Sequence, residues 1–203
     1  GTRTISILNV ENGFWIPIFT GTPDLKPTGD TPVFVAEFFY FSATDANGIP
    51  SIYRINPIAP SAPELVLDDA LLGSMTLDGI LIGLLRDGNI YVQNTVSQFT
   101  VQITNTGNCS SPTFDAVGFN LYFVCGGKLF MYGLDGIKPI VDDIVVGSVS
   151  LGPVDGTLIF GDGQSYFMSD LNGANRRPFM ALSNFSVTGI RWQPPLPMPA
   201  PEA

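Results

Sequence analysis

The stretch "TLIFGDGQSYFMSDLNG" (Thr157–Gly173) places a Gly-containing turn between two runs of apolar residues. Such a turn needs backbone angles with positive φ, which glycine adopts without a Cβ penalty, so the pattern predicts a β-hairpin. Three further segments share it: "FFYFSATDANGIPSIYRIN" (38–56), "GILIGLLRDGNIYVQN" (79–94) and "NLYFVCGGKLFMYGLDG" (120–136). Their turn glycines Gly48, Gly88, Gly127 and Gly163 are 40, 39 and 36 residues apart. The chain therefore repeats one structural unit.

Each repeat carries one extended segment before the hairpin and one after it, such as "LLGSMTL" and "QFTVQITN" around the second hairpin. Four strands at a period near 40 residues are the signature of a β-propeller blade. The predicted blades, numbered first to fourth from here on, cover residues 31–69, 70–104, 105–143 and 144–182.

The two chain ends complement each other. "TISILNVENGFWIPIFTG" (4–21) predicts one more hairpin, and "NFSVTGIRW" (184–192) predicts the missing inner strand of the same blade. We therefore predict an all-β, five-bladed β-propeller of four-stranded antiparallel blades, closed by pairing of N- and C-terminal strands in one blade. "TPDLKPTGDTP" (22–32) holds three prolines and is expected to be the outer strand of that blade or only a loop. Residues 1–192 form a single domain, and 193–203 are a Pro-rich tail or linker.

One segment resembles a known family. "YFMSDLNGANRRPF" (166–179) is similar to the second half of a blade in the YWTD propellers of lipoprotein-receptor ectodomains, and "LFMYGLDG" and "IYRINP" stand at the same position of their repeats. The resemblance implies a propeller of extracellular type. "LIFGDG" replaces the Tyr-Trp-Thr-Asp run, and that family has six blades, so no functional residue is transferred.

Charge and cysteine content narrow the classes of partner and compartment. Eighteen acidic residues against nine basic ones give a net charge of −9, which disfavours nucleic acid and anionic membrane surfaces. The apolar runs are shorter than the roughly 20 residues that cross a bilayer, so no membrane insertion is predicted. Cys109, Cys125 and the Asn-x-Ser sequons at Asn108 and Asn184 predict a secreted or cell-surface glycoprotein.

The two cysteines flank the inner strand of the third blade and the strand after it. If these strands pair through the turn near "AVGFN" (116–120), Cys109 and Cys125 lie close enough for a disulfide. A tight turn could also set them a few residues out of alignment, in which case they are small buried apolar side chains.

The sequence offers few residues that could support catalysis. The chain has no histidine, which excludes Ser-His-Asp and Cys-His catalysis, and two cysteines cannot form a usual zinc site. Acidic residues remain, because five-bladed propellers include glycoside hydrolases with carboxylates in the central funnel. The candidates near the ends of predicted inner strands are Glu37, Asp78, Asp115 and Asp155. Ordinary turn chemistry explains most of them equally well, so we predict no enzymatic activity.

Two Asp-Asp pairs follow equivalent outer strands, Asp68–Asp69 and Asp142–Asp143. They are candidate oxygen ligands for calcium, or solvated turn residues, and no other cofactor is predicted. Several aromatic residues are expected in the core between blades rather than on a sugar-binding surface: Trp15, Phe38, Phe39, Tyr40, Tyr122, Phe123 and Tyr166.

The sequence therefore predicts an extracellular, non-catalytic module that recognises a protein or glycan through one propeller face. Two alternatives stay open. The first is a structural subunit of an extracellular assembly or filament, formed by self-association. The second is a glycoside hydrolase that uses the funnel carboxylates.

Overall fold

The computed structural model describes residues 3–8, 13–28, 32–58, 62–115, 118, 120–152 and 155–181. Within these ranges every regular element is a β-strand and every strand pairing is antiparallel. The same ranges contain no helix that could cross a membrane.

The second, third and fourth blades are four-stranded sheets whose strands follow one another in chain order. The second contains β8 (Leu71–Met75), β9 (Leu81–Arg86), β10 (Asn89–Asn94) and β11 (Thr100–Gln102). The third contains β12 (Cys109–Phe114), β13 (Leu121–Cys125), β14 (Lys128–Gly133) and β15 (Gly136–Val141). The fourth contains β16 (Ser148–Leu151), β17 (Thr157–Gly161), β18 (Ser165–Asp170) and β19 (Arg177–Ala181).

The first blade differs in its inner strand, which is split in two. Both β3 (Leu25–Pro27) and β4 (Val33–Val35) pair with the same edge of β5 (Phe38–Asp45), and β6 (Pro50–Ile55) and β7 (Glu64–Leu67) complete the sheet. β3 contacts the end of β5 through Leu25 opposite Asp45, whereas β4 contacts its beginning. The described inner edge of this blade therefore consists of two short strands, β3 and β4.

The N-terminal hairpin consists of β1 (Thr4–Leu8) and β2 (Trp15–Thr20). The prediction that residues 22–32 form its outer strand or a loop is wrong for residues 25–27, which belong to the inner edge of the first blade. Pro27 ends this short strand, so one paired segment of three residues is compatible with the prolines around it. The predicted closing strand, residues 184–192, and the predicted tail, 193–203, lie outside the described residues.

The four hairpin glycines behave as predicted. Gly48, Gly88, Gly127 and Gly163 all have positive φ, between 68° and 97°. Each stands between the second and third strands of its blade, where an L-residue with a side chain would be strained. The local turn chemistry thus sets the repeat.

The core lies between successive sheets rather than inside any one of them. Tyr122 and Val124 of the third blade form one buried cluster with Leu158 and Phe160 of the fourth. Three similar clusters join the hairpin to the first blade, the first to the second, and the second to the third. Because strands of each sheet are covered by neighbouring sheets, central strands such as β13 and β17 are apolar on both faces.

Every blade presents its turns at two ends. The front end carries the first turn, between strands one and two, and the third turn, between strands three and four. The rear end carries the second turn, between strands two and three, and the connection to the next blade. First turns of adjacent blades touch at the front, since a Cβ on Gly118 would lie 2.7 Å from Thr76 Cγ2. At the rear, the second turn of the second blade packs Gly88 against Gly107 in the connection to the third.

Candidate functional site

The four predicted funnel carboxylates share one position. Each lies in the first turn of its blade, at the front end. Asp115 is buried and accepts a hydrogen bond from Asn120 Nδ2 at 2.7 Å, which ties the two ends of its turn together. Glu37, which accepts from Asn56 Nδ2 at 3.4 Å, and Asp155 are exposed. The topology thus places the four carboxylates at the same end of the molecule.

Asp78 has the geometry of a turn residue. Its Oδ1 accepts hydrogen bonds from Thr76 Oγ1 at 2.6 Å and from the Ile80 amide at 3.0 Å. These two donors, the Thr76 hydroxyl first, lower the pKa of the Asp78 carboxyl below its usual range. A general acid for glycoside cleavage needs a raised pKa, so Asp78 is unsuited to that role.

The two Asp-Asp pairs lie at the rear end, in the connections that follow β7 and β15. Arg176 donates to both carboxylate oxygens of Asp143, from Nη1 at 2.7 Å and from Nη2 at 2.5 Å, and lowers the pKa of Asp143. Arg86, at the end of β9, stands beside the first pair, where its Nε donates to the Asp69 carbonyl at 2.7 Å. A calcium ion at Asp143 would have to displace an arginine. The described part of the chain brings no three acidic or cysteine side chains together in a metal-binding group.

Cys109 and Cys125 are joined in a disulfide at the rear end of the third blade. They lie directly opposite each other across β12 and β13, so the two strands pair in the register that the bond requires. Asn108, the first sequon residue, is exposed beside them. Asn184, the second, lies outside the described residues.

Three of the seven predicted core aromatics are buried: Tyr122, Phe123 and Tyr166 are at most 1% exposed. Phe38, Phe39 and Tyr40 are half-buried. Trp15 is the exception, since 66% of its surface is exposed on the N-terminal hairpin. Its expected place in the core is wrong for the part of the chain that the structure describes.

Sequence reasoning missed an apolar surface at the front end of the second blade, which we call the blade-two loop surface. It comprises Leu77 and Ile80 in the first turn and Val96 and Phe99 in the third turn, all 41–80% exposed. The signal was present as apolar side chains inside two turn segments, "TLDGI" (76–80) and "TVSQF" (95–99), where polar residues are usual.

The two turns of this surface are held together by hydrogen bonds. The Thr95 amide and hydroxyl donate to the carbonyls of Ile80 and Gly79, each at 2.8 Å. Asn94 Oδ1 accepts from the amides of Val96 and Ser97. The apolar side chains therefore project from backbone that is already fixed.

No family model and no curated protein matches this chain. Several solved structures match this chain. A chain of a nidogen/laminin complex aligns with a TM-score of 0.69 at 13% identity, covering 95% of this chain and 82% of its own length. A structure assigned as TolB from Agrobacterium tumefaciens aligns with a TM-score of 0.64 at 16% identity, covering 87% and 74%.

The β-propeller domain of the Trilobed protease from Pyrococcus furiosus, which has an open velcro topology, aligns with a TM-score of 0.52 at 10% identity. The alignment covers 80% of this chain and 58% of that domain's chain. These similarities show that the chain has the β-propeller fold, in agreement with its local resemblance to YWTD blades. At such low identity they establish the fold and not a ligand.

Proposed function

We propose that this propeller is a non-catalytic module that binds a protein partner through the blade-two loop surface. The observation that carries the proposal is the set of exposed apolar side chains, Leu77, Ile80, Val96 and Phe99, on hydrogen-bonded turns. Burial of apolar surface is the dominant favourable contribution to most protein–protein association, and turns that are already ordered lose little entropy on binding.

A protein partner fits this surface better than a glycan. Three of its four side chains are aliphatic, and aliphatic groups cannot pair with sugar hydroxyls; only Phe99 offers a ring for stacking. The similarity to a chain from a nidogen/laminin complex supports a protein partner as well.

The setting that we propose is extracellular. The Cys109–Cys125 disulfide supports an oxidising compartment. A glycan on exposed Asn108 would stand at the rear end, because Asn108 precedes β12, and would leave the front end free.

We further propose that the ring has five blades and closes when residues 184–192 pair with the N-terminal hairpin. Trp15 and Ile16 on that hairpin are more than half exposed, which supports a further covering strand. An open velcro topology, as in the Trilobed protease propeller, is the alternative.

Two other functions make different predictions. A structural subunit of an extracellular assembly should form long polymers at micromolar concentration in light scattering, whereas a binding module should be a monomer or small oligomer. A glycoside hydrolase should turn over members of a panel of chromogenic glycosides, and we expect no turnover.

The binding proposal is tested with two matched double variants. Val96→Asp with Phe99→Asp alters the blade-two loop surface, and Ile49→Asp with Val145→Asp alters exposed apolar residues in rear-end segments. The full chain is used to isolate a partner from extracellular extract of its source, and the affinity of that purified partner is then measured for each variant.

The front-end variant should lose about 30-fold or more in affinity, which corresponds to roughly 2 kcal/mol for an interface anchor. The rear-end variant should bind like the unaltered chain. Equal affinity of both variants would contradict the proposal, and selective release of a purified glycan instead of a protein would replace it with glycan recognition.

A further inference from the structure

A cleft of about 440 Å³ separates the third and fourth blades at the front end. The third blade lines it with Asn120, Tyr122 and Met131, and the fourth blade lines it with Gly156, Asp170, Leu171 and Asn172. A second depression, of about 360 Å³, shares Asn120 and Met131 with the first and adds the fully exposed Leu134. Together they could seat a side chain and the segment that carries it.

Two buried polar atoms of the cleft residues have no hydrogen-bond partner among the described residues. They are Tyr122 Oη and Asp170 Oδ1. Tyr122 is fully buried, whereas the other carboxylate oxygen of Asp170 accepts from Asn175 Nδ2 at 3.0 Å. Buried polar atoms are nearly always paired, so two unpaired ones on residues that line the same cleft indicate a ligand that supplies hydrogen-bond donors.

The electrostatics of the cleft are negative. The carboxylate residue Asp170 lines the cleft. Burial of Tyr122 is the larger cause, and the negative charge of the buried Asp115 the smaller one, that together raise the pKa of Tyr122 to about 12. The phenol is therefore neutral near pH 7 and can accept a hydrogen bond. None of the seven lining residues is basic, and the closest arginine in sequence, Arg176, is paired with Asp143.

We propose that this cleft binds one basic side chain, of lysine or arginine, from the protein partner; this inference rests on the proposed function. The cationic group donates to Asp170 Oδ1 and Tyr122 Oη, and its aliphatic stem packs on Met131 and Leu171. A neutral sugar could supply donors but would leave the carboxylate charges uncompensated. The cleft and the blade-two loop surface both open at the front end, so one partner can contact both.

The inference is tested on the full chain by following the Met131 methyl signal in NMR titrations. The probes are Nα-acetyl-lysine methylamide and Nα-acetyl-arginine methylamide. The Nε-acetylated lysine derivative is the neutral isostere, and methyl α-glucopyranoside represents a glycan. We expect saturable shifts with at least one cation and none with the two neutral compounds.

Three variants distinguish cation binding in the cleft from a general effect of the protein's negative charge. Asp170→Asn should weaken cation binding by at least about tenfold, and Tyr122→Phe, which keeps the buried ring, should weaken it less. Asp68→Asn removes the same charge from an exposed rear-end site between the first and second blades and should change nothing. Absence of saturable shifts with both cations, equal shifts in Asp170→Asn, or tighter binding of the glucoside would overturn the inference.

The inference and the proposed function fail in different ways. If Asp170→Asn keeps full affinity for the protein partner while the Val96 and Phe99 variant loses it, the cleft inference is wrong and the proposed function stands. If the loop variant keeps its affinity, the proposed function is wrong, and the cation titration still judges the cleft independently.

Discussion

Pro112 fills the space beside Gly73 that any side chain on Gly73 would need. A Cβ at position 73 would overlap the Pro112 ring and lie 2.7 Å from the carbonyl oxygen of Gly83. Gly73 and Pro112 stand at the bulges of β8 and β12, where the pairing of each inner strand shifts by one residue. The bulges of adjacent inner strands therefore interlock, and this contact sets how closely the second and third blades approach.

Gly73→Ala should destabilise the domain by about 1–3 kcal/mol, because the added methyl group overpacks this contact. Thermal unfolding measures the effect. Gly147→Ala is the matched control, since its Cβ would find no atom closer than 3.5 Å, and it should change stability by less than about 0.5 kcal/mol. Adding Pro112→Ala to Gly73→Ala should restore only part of the loss, because the Gly83 carbonyl remains. Equal melting temperatures for the two single variants would contradict the interlocked contact.

Removing the disulfide with Cys109→Ala and Cys125→Ala should destabilise the chain. The bond spans 16 residues, and the loop-entropy model gives about 3 kcal/mol for a loop of that size. Urea unfolding measures the difference, and reduced wild-type protein should approach the variant. Mass spectrometry without reduction should find the two cysteines in one linked peptide. Two alkylatable thiols in native secreted protein would refute the pairing.

Asp78→Ala should lower the melting temperature at pH 7 but much less at pH 2. The folded-state pKa of Asp78 is lowered by Thr76 and Ile80, so its stabilising effect is present above the unfolded value of about 4 and is lost as the pH falls through the folded value. Thr76→Val removes the larger cause and should raise the pKa of Asp78 in an NMR titration. Asp155→Ala, in the same turn of the fourth blade, is the control. An Asp78→Ala effect of equal size at both pH values would show that the carboxylate charge is irrelevant.

Deleting residues 184–203 should destabilise the domain strongly, whereas deleting 194–203 should hardly change the melting temperature. The longer deletion removes apolar residues such as Val187, Ile190 and Trp192, and each large side chain lost from a core costs roughly 2–5 kcal/mol. If both truncations melt like the full chain, the five-blade ring is wrong. If the longer truncation is a monomer while the full chain polymerises, the terminal strand pairs with a neighbouring molecule, as the assembly alternative requires.

Protein secreted from a eukaryotic host should carry a glycan at Asn108, which is exposed, or at Asn184. Peptide mapping before and after deglycosylation measures occupancy, and Asn108→Gln serves as the site control. A glycan at Asn108 should leave partner binding unchanged because it stands at the rear end. Unmodified peptides at both sites would contradict the glycoprotein prediction.

The repeat could be predicted from the sequence because its signals are local. A glycine with positive φ between two apolar runs specifies a hairpin through steric preferences of a few neighbouring residues. Four such turns at a near-constant spacing predicted the four sheets at close to their observed bounds. The absence of histidine likewise excluded whole classes of catalysis by composition alone.

Register and contacts between blades depended on the tertiary structure. Without the bulge at Ser111 and Pro112, the pairing of Phe114 with Leu121 would leave Cys109 one residue out of line with Cys125. Hairpin rules do not encode that shift, and the sequence accordingly left both disulfide and free thiols open. The short segment 25–27 joined the first blade instead of the N-terminal hairpin for a similar reason, because strand pairing is decided by which edge is available and not by composition.

Some features of the candidate sites could likewise be predicted from the sequence, and others were seen only in the tertiary structure. Composition and turn spacing placed Glu37, Asp78, Asp115 and Asp155 at equivalent positions, but only the folded chain showed Asp78 and Asp115 accepting hydrogen bonds within their turns. Tyr122 and Asp170 are 48 residues apart in the chain and line one cleft because successive blades pack face to face. Turn preferences act over a few residues and can be predicted from a sequence, whereas a site between blades exists only after long-range packing has brought its side chains together.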